Sequence, residues 1–160
     1  MGDFETVPIN ASILLPEDKR HFYYAEFCVL PKNLQSVAGN LRTGSYIKGL
    51  MKNYGLQEPM GKQIALSLLP VIFGEKTLAQ LASLLSTNAK LPNDKAQKMA
   101  TEIERDLFAP VMLELNQYAT SRKNQVGSNT ASAQASGAHN ILDLKNQTQR
   151  PPVPPPIPRG

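Results

Sequence analysis

The chain has 160 residues, of which 41% are hydrophobic and 19% charged, and its formal net charge is +4. Its longest dense apolar stretch, residues 64–73, is about half of the roughly 20 residues that a membrane-spanning helix needs. Cys28 is the only cysteine, so a disulfide scaffold is excluded. The basic residues are scattered instead of clustered in a strip, which favours an ordinary solvated surface over a nucleic-acid groove.

Residues 1–40 are predicted to form an N-terminal segment that packs on the rest of the chain. Two proline-containing runs, 6–10 and 12–16, look extended because a proline disfavours helix in the residue before it. The aromatic-rich run 21–30 has the composition of a strand or a short helix, and the acidic residues before it favour a helix over about 17–28. The acidic first residues do not resemble an export signal, which predicts a cytoplasmic location.

Four helices are predicted in the middle of the chain. The first is capped by Ser45 and closed by Gly55 in the left-handed conformation. The second begins at Pro59, is kinked by Pro70 and ends at Gly74. Both have apolar residues at helical spacing, which predicts one buried face on each.

The third helix opens with a capping box, in which Thr77 and Gln80 bond each other's backbone N–H groups. The fourth and longest begins after Pro92 and repeats apolar residues at three- and four-residue steps as far as Tyr118. Pro110 is expected to interrupt it near residue 108, because proline lacks a backbone donor and clashes with the preceding turn.

A shift of 35 residues superposes the first two helices on the last two. The pairs that keep apolar character are Tyr46 and Leu81, Leu50 and Leu85, Leu56 and Leu91, Ile64 and Met99, Ala65 and Ala100, Leu68 and Ile103, Ile72 and Leu107, and Phe73 and Phe108. Amphipathic helices also match at chance offsets, but the matching loop leucine and closing phenylalanine favour a duplication. We therefore predict an all-α domain at 41–121, a small bundle of two stacked helical hairpins.

The segment Leu91–Val111 reads Leu-Pro-Asn-Asp-Lys-Ala-Gln-Lys-Met-Ala-Thr-Glu-Ile-Glu-Arg-Asp-Leu-Phe-Ala-Pro-Val. It resembles a helical segment of uncharacterised small proteins of candidate-phylum bacteria, which reads roughly as Leu-Pro, an acid, Lys-Ala, Ile-Ala, Glu-Ile, then Phe and Pro. The resemblance covers about 45–121. It implies a helical layout followed by a proline-bearing tail, and it implies no activity.

Residues 122–160 are predicted to be a disordered tail, rich in Ala, Ser and Asn and then in Pro. Within it, 140–146 is a short apolar island that is either a docking motif or an incidental turn. The proline run 150–160 is typical of polyproline II and serves either as a ligand or as a spacer. The candidate partner-binding residues of the tail are Ile141, Leu142, Leu144, Pro154, Pro155, Pro158 and Arg159.

The sequence contains no recognisable catalytic constellation. Only His21 and His139 could activate a nucleophile, and His139 falls in the tail. Cys28 lies between two apolar residues and is interpreted as a small buried hydrophobe. Glu102 and Asp106 share a helix face without a third ligand and are interpreted as solvated helix surface. We therefore expect no enzymatic activity, no cofactor and no bound metal.

These features favour a non-catalytic protein-protein interaction or adaptor protein. Its helical domain would bind one protein partner, and its tail would offer short linear motifs to another. The alternative is a weak nucleic-acid-binding protein that uses its scattered lysines and arginines. The identity of the partner and the oligomeric state stay open at this point.

Overall fold

The structure, a computed structural model, describes residues 2–126, and within them every regular element is helical. The helices are α1 (Pro8–Ala11), α2 (Glu17–Phe27), α3 (Lys32–Gly39), α4 (Leu41–Asn53), α5 (Glu58–Ile72), α6 (Leu81–Asn88), α7 (Asn93–Ile103) and α8 (112–126). Short 3₁₀ turns lie at Asp3–Thr6, Ser12–Leu14, Leu78–Gln80 and Ala109–Val111, and a π-helical turn at Glu104–Phe108. The all-α prediction is confirmed for this part of the chain. The predicted disorder of the tail falls, from residue 127 onward, outside the described residues.

Helix α5 is the centre of the fold. None of its residues from Gly61 onward is exposed, and neither is Phe73, the residue that follows the helix. A helix that is apolar around most of its circumference has to be covered on most of its circumference. Helices α4 and α6 cover it from the two hairpins, and α1, α3 and the turn Asp3–Thr6 cover it from the N-terminal segment. Across residues 2–126, no helix has the length and apolarity needed to cross a bilayer.

The N-terminal segment packs on the hairpins and is also part of their core. Val7, Ile9 and Ala11 are all buried and belong to the same hydrophobic cluster as the side chains of α5. The chain up to Arg122 forms one compact unit. The predicted boundary between residues 40 and 41 is therefore not a boundary between domains.

The extended conformation expected for runs 6–10 and 12–16 is wrong. Three successive helical turns occupy this region instead. The constraint imposed by proline holds only for the residue before it, so Val7 and Leu15 are extended, with ψ of 128° and 158°. Pro8 itself suits the first position of a helix, because that position has no backbone hydrogen bond to lose.

Helix α4 begins four residues before the predicted cap at Ser45. The residue that caps it is Asn40, whose side chain accepts the backbone N–H of Arg42 at 2.9 Å. The Ser45 hydroxyl instead donates to the carboxylate of Asp3 at 2.8 Å. Helix α3, just before α4, has no counterpart among the predicted elements.

Several local signals are confirmed. Thr77 and Gln80 form the predicted capping box, with the Thr77 N–H donating to the Gln80 side chain at 3.0 Å. The helix predicted at about 17–28 is α2. The long final helix is interrupted as expected, by a π-helical turn that ends at Phe108 and a 3₁₀ turn that contains Pro110. Helix α5, in contrast, stays one helix through Pro70.

The two helical hairpins follow the 35-residue offset closely. Helix α4 ends at Asn53 and α6 at Asn88, while α5 begins at Glu58 and α7 at Asn93. The helices contact each other within each hairpin, and α5 also packs on α6, which joins the hairpins. The prediction of two stacked hairpins is confirmed.

The loops inside the two hairpins also share one backbone conformation. Gly55 has φ of 63°, and Lys90, 35 residues later, has φ of 52°. The residues before them match as well: Tyr54 has φ of −93° and ψ of 0°, and Ala89 has φ of −92° and ψ of 2°. The left-handed conformation predicted for Gly55 is thus confirmed, and a lysine adopts it in the second hairpin.

The shared loop conformation predicts opposite effects of two substitutions. Gly55→Ala places a side chain in the left-handed region and is expected to lower the free energy of unfolding by about 1 kcal/mol. Lys90→Gly relieves the same strain and is expected to raise it by about 0.5–1 kcal/mol. Urea denaturation monitored by circular dichroism measures both.

Gly49→Ala is the matched control, because Gly49 is inside α4 and a Cβ there meets no atom within 4 Å. It is expected to stabilise the protein by about 0.5–1 kcal/mol, as alanine does in a helix. A neutral Gly55→Ala together with a destabilising Lys90→Gly would contradict the assignment of one loop conformation to both hairpins.

Candidate protein-interaction surface

The tail residues proposed from the sequence lie outside the described residues. They are Ile141, Leu142, Leu144, Pro154, Pro155, Pro158 and Arg159. Their role in binding stays a prediction, and the surface described below is on the folded body.

Helix α2 and the residues beside its ends expose several large apolar side chains. Only Tyr23 of its eleven residues is buried. The large apolar side chains exposed on it and beside its ends are Ile13, Leu14, Phe22, Tyr24 and Val29, which we call the α2 surface. Single exposed apolar residues are ordinary, but five within one short segment mark a candidate binding site.

The local sequence explains why α2 forms despite its small buried face. Pro16 precedes the helix in an extended conformation, with ψ of 151°, and prevents the preceding turn from continuing into it. Glu17 and Asp18 then place negative charge in the first turn, where the helix dipole favours it. Leu30 is buried just beyond the C-terminal end and anchors it.

Tyr23 anchors α2 to the end of α5. Its ring lies 4.9 Å from the ring of Phe73, measured between centroids, and Phe73 is fully buried. Burial raises the pKa of the Tyr23 hydroxyl, and the neighbouring Glu75 carboxylate raises it further. This aromatic contact, together with Phe27, which packs partly against the core, forms the apolar attachment of α2.

Arg122 supplies the polar part of the attachment. Its guanidinium Nη1 donates to the carbonyl of Phe73 at 2.8 Å and lies 3.4 Å from a carboxylate oxygen of Glu26 on α2. The Tyr118 hydroxyl donates to the same carboxylate oxygen at 2.9 Å, and the Arg122 guanidinium also lies over the ring of Phe22. This network ties α8 to α2 and to the end of α5.

Arg122, at which the tail was predicted to start, thus belongs to the folded body, and the second compact unit begins one residue later, at Lys123. Arg122 is three-quarters buried, with 22% of its side chain exposed, and the helix that contains it extends over 112–126. Gly74 permits this packing, because a Cβ at that position would lie 3.1 Å from the Cα of Ala119. A low content of large apolar residues suggested a tail here, but the attachment is polar and does not depend on them.

Tyr54 and Tyr46 form hydrogen bonds with Glu102 and Asp106, the two carboxylates that were interpreted as solvated helix surface. Tyr54, the residue that follows α4, donates to Glu102 at 2.8 Å, and Tyr46 on α4 lies 3.4 Å from the carboxylate of Asp106. Burial and the Glu102 carboxylate raise the pKa of Tyr54 to about 12. Arg105 bonds Asp106 and lowers the pKa of its carboxyl. The interpretation as plain solvated surface is wrong, because both carboxylates accept bonds from side chains on α4 or directly after it.

Cys28 is exposed, so its interpretation as a buried hydrophobe is wrong. It follows the last turn of α2, and its thiol lies 3.6 Å from the carbonyl of Tyr24. His21 is exposed as well, 3.8 Å from Glu17 one turn earlier. Among residues 2–126, no three His, Cys, Asp or Glu side chains are grouped so that they could hold a metal ion.

Comparisons with protein-family models, curated proteins and solved structures find no match for this chain. The resemblance of residues 91–111 to proteins of candidate-phylum bacteria therefore stays a prediction.

The tyrosine–carboxylate bonds predict a loss of stability in alkali. The pKa of Tyr23, Tyr46, Tyr54 and Tyr118 is raised in the folded protein, to about 12 for Tyr54 and Tyr118. Above about pH 10 the unfolded chain loses tyrosine protons that the folded chain keeps, so the free energy of unfolding is expected to fall as the pH rises. Below that pH the contribution of these tyrosines is fully present. Urea denaturation across this range measures the slope.

Tyr54→Phe and Tyr118→Phe are each expected to reduce the alkaline slope by about one proton. Slopes of both variants equal to that of the parent would show that the tyrosine–carboxylate bonds do not contribute to stability in this way.

Proposed function

We propose that this chain is a non-catalytic protein-protein interaction or adaptor protein of the cytoplasm. Its helical body binds one protein partner through the α2 surface, and its tail offers Ile141, Leu142, Leu144 and the proline run to a second. The observation that carries the proposal is the group of five exposed apolar side chains on α2 and beside its ends.

The first support is that the α2 surface exposes five large apolar side chains, whereas α2 has only one buried residue, Tyr23. Val29 and Ile13 are 69% and 64% exposed, and Tyr24 is 45% exposed. Burying such side chains contributes roughly 1.5–3 kcal/mol each when a partner covers them. Tyr23 is buried, Phe27 packs partly against the core, and Arg122 lies over Phe22. The apolar side chains left for another protein are therefore mainly Ile13, Leu14, Tyr24 and Val29.

The second support is the rigidity of the attachment. The Arg122 network fixes α2 through charge-assisted hydrogen bonds, which are worth roughly 1.5–3 kcal/mol each. A surface held in one geometry loses less conformational entropy when it binds than a mobile one does. The α2 surface is thus a preorganised site, and we expect its partner to present a complementary apolar patch.

Affinity capture with variants of the full chain tests this proposal. The paired substitution Tyr24→Ser and Val29→Ser is expected to remove the partners of the body, and a chain ended after Val126 is expected to lose those of the tail. Leu113→Ser is the matched control, because Leu113 is 72% exposed on α8, outside the α2 surface. Thermal melts establish that each variant is folded.

Identical partner sets for the parent and all variants would contradict the adaptor proposal. Binding of DNA or RNA that weakens steeply with ionic strength would instead support the alternative, since phosphate contacts release counterions.

A further inference from the structure

The turn Asp3–Thr6, which we call the strap, crosses α4 and α5 where each helix has a glycine. A Cβ on Gly44 would collide with the backbone carbonyl of Asp3, and one on Gly61 would lie 3.0 Å from the Thr6 side chain as well as against Met51. Glycine inside a helix lowers its stability relative to alanine. Gly44 therefore leaves room for the backbone of the strap, and Gly61 leaves room for the side chains of Thr6 and Met51. We call this site on α4 and α5 the groove.

Charged and polar groups of the groove match the side chains of the strap. Lys48 Nζ lies 2.8 Å from the carboxylate of Asp3, which also accepts the Ser45 hydroxyl at 2.8 Å. Lys62 Nζ, on the other helix, lies 3.1 Å from the carboxylate of Glu5. Each helix that forms the groove thus supplies one lysine, and each lysine pairs with one acidic side chain of the strap.

Thr6 is recognised as well, whereas Phe4 is not. Thr6 is fully buried, and its hydroxyl has the carbonyl oxygens of Gly44 at 2.9 Å and Asp3 at 3.0 Å as acceptors. Phe4 is 66% exposed between the two acidic residues. The groove therefore reads the pattern Asp-x-Glu-Thr.

The strap is held in a way that lets it open before the rest of the fold. Two backbone bonds close it, Glu5 N–H to Gly2 at 3.3 Å and Val7 N–H to Phe4 at 3.4 Å, and both are long. The carboxylates of Asp3 and Glu5 are nearly half exposed, so salt screens their ion pairs. Segments with few buried apolar contacts open most readily.

We propose that the groove between α4 and α5 binds an acidic segment of a partner protein, and that the strap is an intramolecular competitor that occupies the groove until the partner displaces it. The inference rests on the proposed adaptor function and names the chemistry of one partner: two carboxylates separated by one residue and followed by threonine. The strap is then an autoinhibitory contact, and its release exposes Lys48, Lys62 and the Gly44 carbonyl.

The test uses the full chain and a synthetic peptide with the sequence of residues 2–8. In the variant Asp3→Lys, Glu5→Lys, the strap is repelled by Lys48 and Lys62, so the peptide is expected to bind at least about tenfold more tightly than to the parent. The variant Glu17→Lys, Asp18→Lys carries the same change of charge on α2 and is expected to bind the peptide as the parent does. Fluorescence anisotropy with labelled peptide measures the three affinities.

Equal affinity for the two charge-reversed variants would overturn the proposal, because it would show attraction by net charge alone. Absence of binding to the strap variant would also overturn it. Adding Gly44→Ala to the strap variant is expected to abolish binding, whereas adding Gly49→Ala is expected to preserve it.

A second arm uses the unaltered chain and does not depend on the folding of any variant. Excess peptide is expected to shift the amide resonances of Asp3–Thr6, Ser45 and Lys48 in NMR spectra, and to leave those of α7 unchanged. Shifts that spare the strap, or a dimer in which straps exchange between copies, would contradict displacement by a partner. Because both arms use purified protein, their failure overturns the strap proposal even where affinity capture supports the adaptor function.

Discussion

The burial of α5 is the constraint on which the rest of the structure depends. From Gly61 onward no residue of this helix is exposed, and most of its residues are apolar, so the neighbouring elements have to cover it on most sides. Two helices of the hairpins cannot enclose a third on all sides. Helices α1 and α3 complete the enclosure, so a segment with weak sequence signals contributes buried side chains to the core.

A comparison of the two hairpins shows how the burial of α5 affects its sequence. Helix α7 corresponds to α5 at an offset of 35 residues, but its sequence is amphipathic. Leu69 of α5 is fully buried, whereas its counterpart Glu104 is exposed; Leu66 is partly buried, whereas its counterpart Thr101 is exposed. The two hairpins therefore share helix bounds and loop conformation, and they differ where the N-terminal segment covers one of them and not the other.

Sequence reasoning succeeded where structure is determined within a few residues. Gly55 and the Thr77 capping box mark a helix end and a helix start through their own backbone and neighbouring N–H groups, and both were predictable. It failed where the deciding partner is remote. Asp3 accepts a hydrogen bond from Ser45, 42 residues away, and Glu102 accepts one from Tyr54. No pattern in the neighbouring sequence indicates either bond. Arg122 belongs to the folded body for the same reason.

The candidate site combines both cases. Helix α2 was predictable from its acidic first turn. Which of its side chains are exposed, however, depends on the tertiary contact between Tyr23 and Phe73. The strap groove was not predictable at all, since Gly44 and Gly61 acquire their meaning only when α4 and α5 lie side by side. Both candidate binding features thus arise from the way in which the N-terminal segment is fitted to the hairpins.

The most direct test of this account compares a fragment of residues 41–126 with one of residues 2–126. Both contain the two hairpins and α8, and only the longer fragment contains the elements that complete the enclosure of α5. The account predicts a cooperative thermal transition for 2–126, and for 41–126 a broad, non-cooperative change with exposed apolar surface, detected by dye binding. A cooperative transition of 41–126 at the same midpoint temperature would contradict it.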